Sequence, residues 1–149
     1  MADTQPANYV LRTDGGDNRG LGHVRRCLAL ADELRRKDDR PELVLGMTDT
    51  ATIERIKRSG HSWRALAHGE KFDAAAVCGG AHTVVFDVSH PEVITQPQDV
   101  AACINELHRL NTRTMLIDGQ GQRSLASRVQ LSADLVSVPF VGANAADLR

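Results

Sequence analysis

The residues best suited to chemistry cluster near the start of the chain: Arg12-Thr13-Asp14, a run of turn formers, then Gly20-Leu21-Gly22-His23-Val24-Arg25-Arg26-Cys27. Glycines let the backbone turn tightly and approach a ligand with no Cβ in the way. A helix that follows presents unpaired N–H groups with partial positive charge, a natural place for phosphate. The same helix N-terminus disfavours imidazolium, so His23 in the first turn tends to stay neutral, the form a general base requires. The spacing is not that of a Walker loop, which ends Gly-Lys-Ser/Thr, nor of the dinucleotide fingerprint G-x-G-x-x-G, because position 25 carries arginine. On the residues alone two roles stay open: a ligand-binding loop with a base, or a tight strand-to-helix turn whose histidine caps the helix.

Other polar candidates lie further along. Asp87 and Asp118 each follow an apolar run and sit where a strand should end, facing a cleft or capping the next helix. Asp17 is of the type that closes turns. Arg26 can pair with an acidic group on the rim or with a phosphate, whereas Arg25 reads as a solvated face residue. His61, His68, His82, His90 and His108 show no H-x-x-x-H or carboxylate spacing that would suggest a metal, so neither a metal nor a cofactor is expected; His90 draws attention by position alone. Trp63 and Tyr9 read as core or boundary aromatics.

The elements that must position these residues alternate. Asn8 to Thr13 reads as a strand, and a helix starts near Gly22 with Val24, Cys27, Leu28, Ala31 and Leu34 at helical spacing and Arg35-Arg36-Lys37 suiting its C-terminal dipole. Glu42 to Met47 reads as a buried strand, about Thr50 to Ser59 as a helix, His61 to Leu66 as a strand and Lys71 to Val77 as a short helix. Thr83 to Phe86 is a strongly apolar strand ending at Asp87; Pro97 to about Leu110 is a helix with Val100, Ile104 and Leu107 on one face; Thr114 to Ile117 is a strand ending at Asp118-Gly119. A short helix from Ser124 to Gln130 and a final strand from Asp134 to Val138, stopped by Pro139, complete the pattern. Apolar strands alternating with helices predict an α/β, Rossmann-like three-layer domain with a mostly parallel sheet, and ligands in such sheets sit outside the carboxyl ends of the strands, where Asp14, Asp87 and Asp118 fall.

Composition narrows the function further. At 149 residues and 42% hydrophobic content the chain is the size of one ordinary domain, and it reads as a single domain with residues 1–7 as a flexible tail and 142–149 as a loop or linker. Its 18 basic and 19 acidic residues give a net charge of -1 spread along the sequence, which argues against a nucleic-acid partner. Cys27, Cys78 and Cys103 are odd in number and lack C-x-x-C spacing, arguing against a disulfide framework and a zinc site and pointing to a reducing compartment. With neither a signal-peptide pattern nor an apolar run of roughly 18 residues, no membrane span is expected and a cytoplasmic setting is.

Arg12-x-Asp14, a gap, then Gly20-x-Gly22-His23-x-x-Arg26-Cys27-Leu28-x-Leu30-Ala31 resembles the opening of the pseudaminic-acid pathway UDP-sugar hydrolases and their polysaccharide-biosynthesis relatives. The match is close from Arg12 to Leu34 and loose beyond, where Phe86-Asp87, Ile117-Asp118 and Ala133-Asp134-Leu135-Val136 are similar to later strands of that family. The resemblance implies two Rossmann-like domains of glycosyltransferase B type, of which this would be the N-terminal half. It implies a UDP-sugar substrate, and His23 as the residue that activates water for attack at the anomeric carbon, expelling UDP with inversion. Asp14 would then orient His23 or bind a sugar hydroxyl, with Arg12, Gly20, Gly22, Arg26, Asp87, His90 and Asp118 also facing substrate. The chain departs from the family where many relatives have Asp-x-Tyr-Gly and it has Asp87-Val88-Ser89-His90, and where they have paired aspartates and it has Asp118-Gly119, so the sugar pocket is expected to differ. The family's C-terminal domain, which supplies most contacts to uridine and pyrophosphate, would have to come from another domain or a partner chain. Two other roles stay open: a glycosyltransferase half-domain that delivers the sugar to an acceptor, and a non-catalytic binding or assembly module.

Overall fold

The apolar runs pair side by side, and all of them run in one direction. In a computed structural model the residues described are 5–16, 21–88, 96–118 and 132–137. The anticipated helix from Ser124 to Gln130, the tail from Gly142 to Arg149, Val138, Pro139, and the candidates Asp17, Gly20 and His90 lie outside them.

The elements, in chain order, are β1 (Tyr9–Asp14), α1 (Gly22–Arg36), β2 (Pro41–Met47), α2 (Thr50–Ser59), β3 (Ser62–Ala65), a single 3₁₀ turn (His68–Glu70), α3 (Ala74–Cys78), β4 (Thr83–Asp87), α4 (Pro97–Arg109), β5 (Arg113–Ile117) and β6 (Leu135–Ser137). The strands form a six-stranded sheet in the order β3-β2-β1-β4-β5-β6, and every neighbouring pair is parallel. This is an α/β Rossmann-like three-layer domain. The first half of the chain builds outward from β1 to β3, and the second half returns to β1 and builds the other way from β4. The β1/β4 boundary is therefore the topological switch point, where helices on opposite faces leave a crevice at the strand carboxyl ends.

Parallel strands need crossover helices, which cover both faces, and so the central strands are buried throughout. One core, on the α3/α4 side, joins Val10, Val44, Val84, Phe86 and Leu116 to Val77, Val100, Ile104 and Leu107. The other, on the α1/α2 side, joins Leu11, Leu43, Leu45 and Val85 to Val24, Cys27, Ala31 and Ile56. Each fully buried Leu, Ile or Phe contributes about 1.5–3 kcal/mol relative to exposure, so both layers are firmly seated. The period-two alternation along β1 and β4 assigns each rim residue to a face.

Capping sets the helix boundaries. The Asp49 carboxylate accepts the Thr52 N–H at 2.8 Å, and left-handed Gly60 (φ 75°) ends α2. The helix expected from Lys71 begins later, at Ala74, because Asp73 is its N-cap and accepts the Ala76 N–H at 2.8 Å, while Lys71 and Phe72 belong to the preceding turn. β1 extends one residue past Thr13 to Asp14. Among the described residues no helix is long and apolar enough to cross a membrane.

Candidate functional site

The site begins with strand register. Thr13 on β1 pairs with Asp87 on β4, so Asp14 and Asp87 end adjacent strands at nearly the same height. Alternation sends them to opposite faces: Asp87 points with Val85 toward α1, and Asp14 points with Val10 and Arg12 toward α3 and α4.

On the α1 side, Val24, Cys27 and Ala31 bury the inner stripe of the helix, and this rotation brings His23 and Arg26, neighbours at i and i+3, over the end of β4. Asp87 is 1% exposed, and its two oxygens are gripped by one guanidinium: Arg26 Nε donates to Oδ2 at 2.8 Å and Nη2 to Oδ1 at 2.9 Å. His23 Nδ1 lies 2.5 Å from the same Oδ1 and 2.9 Å from Arg26 Nη2. A guanidinium only donates and a carboxylate only accepts, so one ring nitrogen cannot satisfy both neighbours. The shorter contact decides the matter, because a lone pair cannot face a carboxylate at that distance, and Arg26 Nη2 already has an acceptor in Oδ1. Nδ1 therefore carries a proton and donates to Asp87, and in the neutral ring the lone pair is on Nε2. His23 keeps partial exposure, so that lone pair belongs to a ring water can reach. The Asp87 carboxylate raises the Arg26 guanidinium above its already high ordinary range, keeping it charged.

Beneath this cluster the Cys27 thiol is fully buried, and desolvation pushes it far above the usual thiol range; burial likewise pushes Cys103 up to about 12. Both are packing residues and not nucleophiles. Helix geometry leaves the N–H groups of Gly22, His23 and Val24 without intrahelical acceptors, the first helical bond running from Arg25 N–H to Leu21 O at 2.8 Å.

On the other face Arg12 is 0% exposed. Its Nη1 donates to the Thr13 carbonyl and to Asp14 Oδ1, each at 2.8 Å, its Nε donates to the Lys71 carbonyl at 3.1 Å, and its guanidinium lies 5.1 Å from the Phe72 ring centroid. Room for it comes from Gly46 on β2, where a Cβ would sit 2.1 Å from Arg12 Nη2. Arg12 is buried and holds Asp14 and the Lys71–Phe72 turn together inside the domain. Asp14 does not orient His23: it shares a face with Arg12, and Asp87 orients the histidine instead. Among the described residues Asp14 Oδ2 is buried without a hydrogen-bond partner.

Asp118 follows β5 and is 3% exposed; alternation places it with Leu116, on the same face as Asp14 and away from His23. The three rim aspartates thus share an edge of the sheet but not a face. Gly22 is exposed, and a Cβ there would meet only Arg26 Nη1 at 3.9 Å, so packing does not require glycine at this position. In the turn after β1 packing does require glycine at Gly15, as it does at Gly46, because a Cβ there would come within 2.5 Å of Val24 Cγ2. Arg25 is exposed, as anticipated, and Arg26 pairs with an acidic rim group. Among the described residues no cluster of three or more His, Cys, Asp or Glu side chains could hold a metal.

A scan of the chain against models of known protein families matches none of them, and no curated protein matches it. The functional reading rests on the geometry of His23, Asp87 and Arg26 and on the helix α1 and strand β4 that carry them.

Proposed function

We propose that the chain is a nucleotide-sugar hydrolase, or the N-terminal half of one, that uses His23 to direct water at the anomeric carbon of a UDP-linked amino sugar. The observation that carries this reading is the pair His23–Asp87 at the β1/β4 switch point, with Nδ1 against the carboxylate, which in a neutral ring leaves the lone pair on Nε2. An imidazole held in this tautomer by a buried carboxylate is the standard arrangement for a general base, and the carboxylate also stabilises the imidazolium that forms.

In the proposed reaction, His23 Nε2 takes a proton from water as the water oxygen bonds to the anomeric carbon, and the bond from that carbon to the β-phosphate oxygen breaks. UDP leaves with the bonding pair. Its negative charge is compatible with the amides at the start of α1, which have no intrahelical acceptors. A general base of this kind contributes about 10²–10⁴-fold in rate. Contacts to uridine would come from a second domain of glycosyltransferase B type or from a partner chain. A cytoplasmic location accords with three buried, unbridged cysteines.

The test is titration of the purified chain, alone and with any chain that co-purifies with it, with UDP and a panel of UDP-linked amino sugars, following the Gly22 and His23 amides by NMR while assaying released UDP. Local shifts with release of UDP and free sugar, lost in a folded His23→Ala protein, support the reading. Normal turnover by folded His23→Ala, or consumption of nucleotide sugar only when an acceptor is present, contradicts it.

A further inference from the structure

Two carboxylates end the neighbouring strands β1 and β4, and each carries an arginine, but only Asp87 also carries a histidine. In an aspartate–histidine pair the anion does two things: it fixes the ring through Nδ1, and its charge stabilises the protonated ring. A base that must be neutral before each turnover benefits from the first effect and is hindered by the second. Here the anion is not free. Arg26 meets both Asp87 oxygens, at 2.8 and 2.9 Å, and brings Nη2 within 2.9 Å of the His23 ring nitrogen itself.

We infer that Arg26 is a positioning residue that cancels the charge of Asp87, so that Asp87 aligns His23 without holding a proton on it. The two-pronged grip fixes the plane of the carboxylate and keeps Oδ1 directed at Nδ1, supplying orientation. The positive charge 2.9 Å from the ring nitrogen opposes imidazolium, and because Arg26 is 40% exposed, solvent weakens the effect without removing it.

Among the described residues, the remaining charged and titratable groups around the ring do not replace Arg26. From α1, Cys27 is a thiol kept protonated by burial. From β1, Asp14 is on the far face of the sheet and is matched by Arg12. From the start of α2, Asp49 is committed to the Thr52 N–H. Arg25, one residue from Arg26, is exposed on another side of the helix. Among the described residues the local groups are therefore one carboxylate, one guanidinium and one imidazole.

The inference gives meaning to His23 as a base and in that sense rests on the proposed function, but its test does not need turnover. The ring ¹⁵N resonances of His23 in the intact chain report directly whether the ring is charged as pH is varied. In Arg26→Gln the pH at which half the rings are protonated should rise by about one pH unit or more, the usual effect of uncovering an adjacent carboxylate. Arg26→Lys, which keeps the charge and loses the fork, should fall between that variant and the natural protein, and Arg25→Gln should match the natural protein. Backbone spectra confirm that each variant is folded. An unchanged or lowered midpoint in folded Arg26→Gln, or an equal rise in Arg25→Gln, overturns the inference. If the ring behaves as expected while no nucleotide sugar is hydrolysed, the charge balance stands and the hydrolase reading fails.

Discussion

The two arginine–aspartate pairs at the carboxyl rim use the same chemistry at the same distance, 2.8 Å, and serve opposite purposes. Arg12–Asp14 is closed: both side chains are 1% exposed, the arginine reaches backbone carbonyls and an aromatic ring, and Gly46 is hollowed out to admit it. Arg26–Asp87 is open: its aspartate is equally buried, but its arginine is 40% exposed and a histidine shares the carboxylate. Burying a charge pair costs several kcal/mol per ion in desolvation, offset only by close geometry and further hydrogen bonds. The closed pair meets that condition with fixed protein groups and becomes scaffold. The open pair has a third participant, His23, whose ring stays partly exposed beside the shared carboxylate, and that is the position from which chemistry can be done.

The largest expected effect breaks the closed pair. Arg12→Met removes the cation from a buried carboxylate and should destabilise the domain by about 3–5 kcal/mol, read as a fall in the urea midpoint. A loss well under 1 kcal/mol would mean that Asp14 is not held as described. Gly46→Ala tests the same pair from outside: a Cβ 2.1 Å from Arg12 Nη2 forces the guanidinium to move, and the expected cost is about 1–3 kcal/mol. Gly22→Ala sharpens the contrast, because on the open side a Cβ has space, 3.9 Å from Arg26 Nη1; stability should change by no more than about 0.5 kcal/mol, while any ligand that approaches this backbone should bind less well in calorimetry.

The smallest effect concerns a third carboxylate at the edge of the sheet. The Thr114 N–H donates to Asp134 Oδ2 at 2.8 Å and holds the Asp134 carboxyl below its ordinary range, with His108 adding to the effect. Because the folded-state value is depressed, the stabilisation is present above the ordinary carboxylate range and is lost as pH falls through the depressed value. Urea midpoints of Asp134→Asn should therefore vary less than those of the natural protein over roughly pH 5 to 2.

Much of this frame was legible in the chain. Leu43-Val44-Leu45 and Val84-Val85-Phe86 are too apolar for anything but doubly covered strands, Pro97 opens a helix, and the loop with His23 declares itself through its glycines. The rim aspartates were legible as a set, since each closes an apolar run. What was not legible is which face each one takes. The resemblance suggested Asp14 as the group that orients His23; the pairing that forms is with Asp87 and spans 64 residues, between a helix and a strand whose adjacency depends on the whole topology. The alternation Val10, Arg12, Asp14 carried a usable signal, because it puts the aspartate on the side away from a helix that packs on Leu11 and Thr13. Gly15 and Gly46 escaped notice for a related reason: their need for hydrogen as a side chain arises from Val24 and Arg12, neighbours only in the folded state.

The account turns on the claim that His23 is held with its proton on Nδ1 and its lone pair on Nε2. A long-range ¹H–¹⁵N spectrum of the His23 ring at neutral pH measures this directly. The account predicts a protonated Nδ1, a bare Nε2, and loss of that preference in Asp87→Ala. A ring found with its proton on Nε2 in the natural protein, or a tautomer indifferent to Asp87, would contradict the assignment of His23 as a base and leave the open pair as a second piece of scaffold.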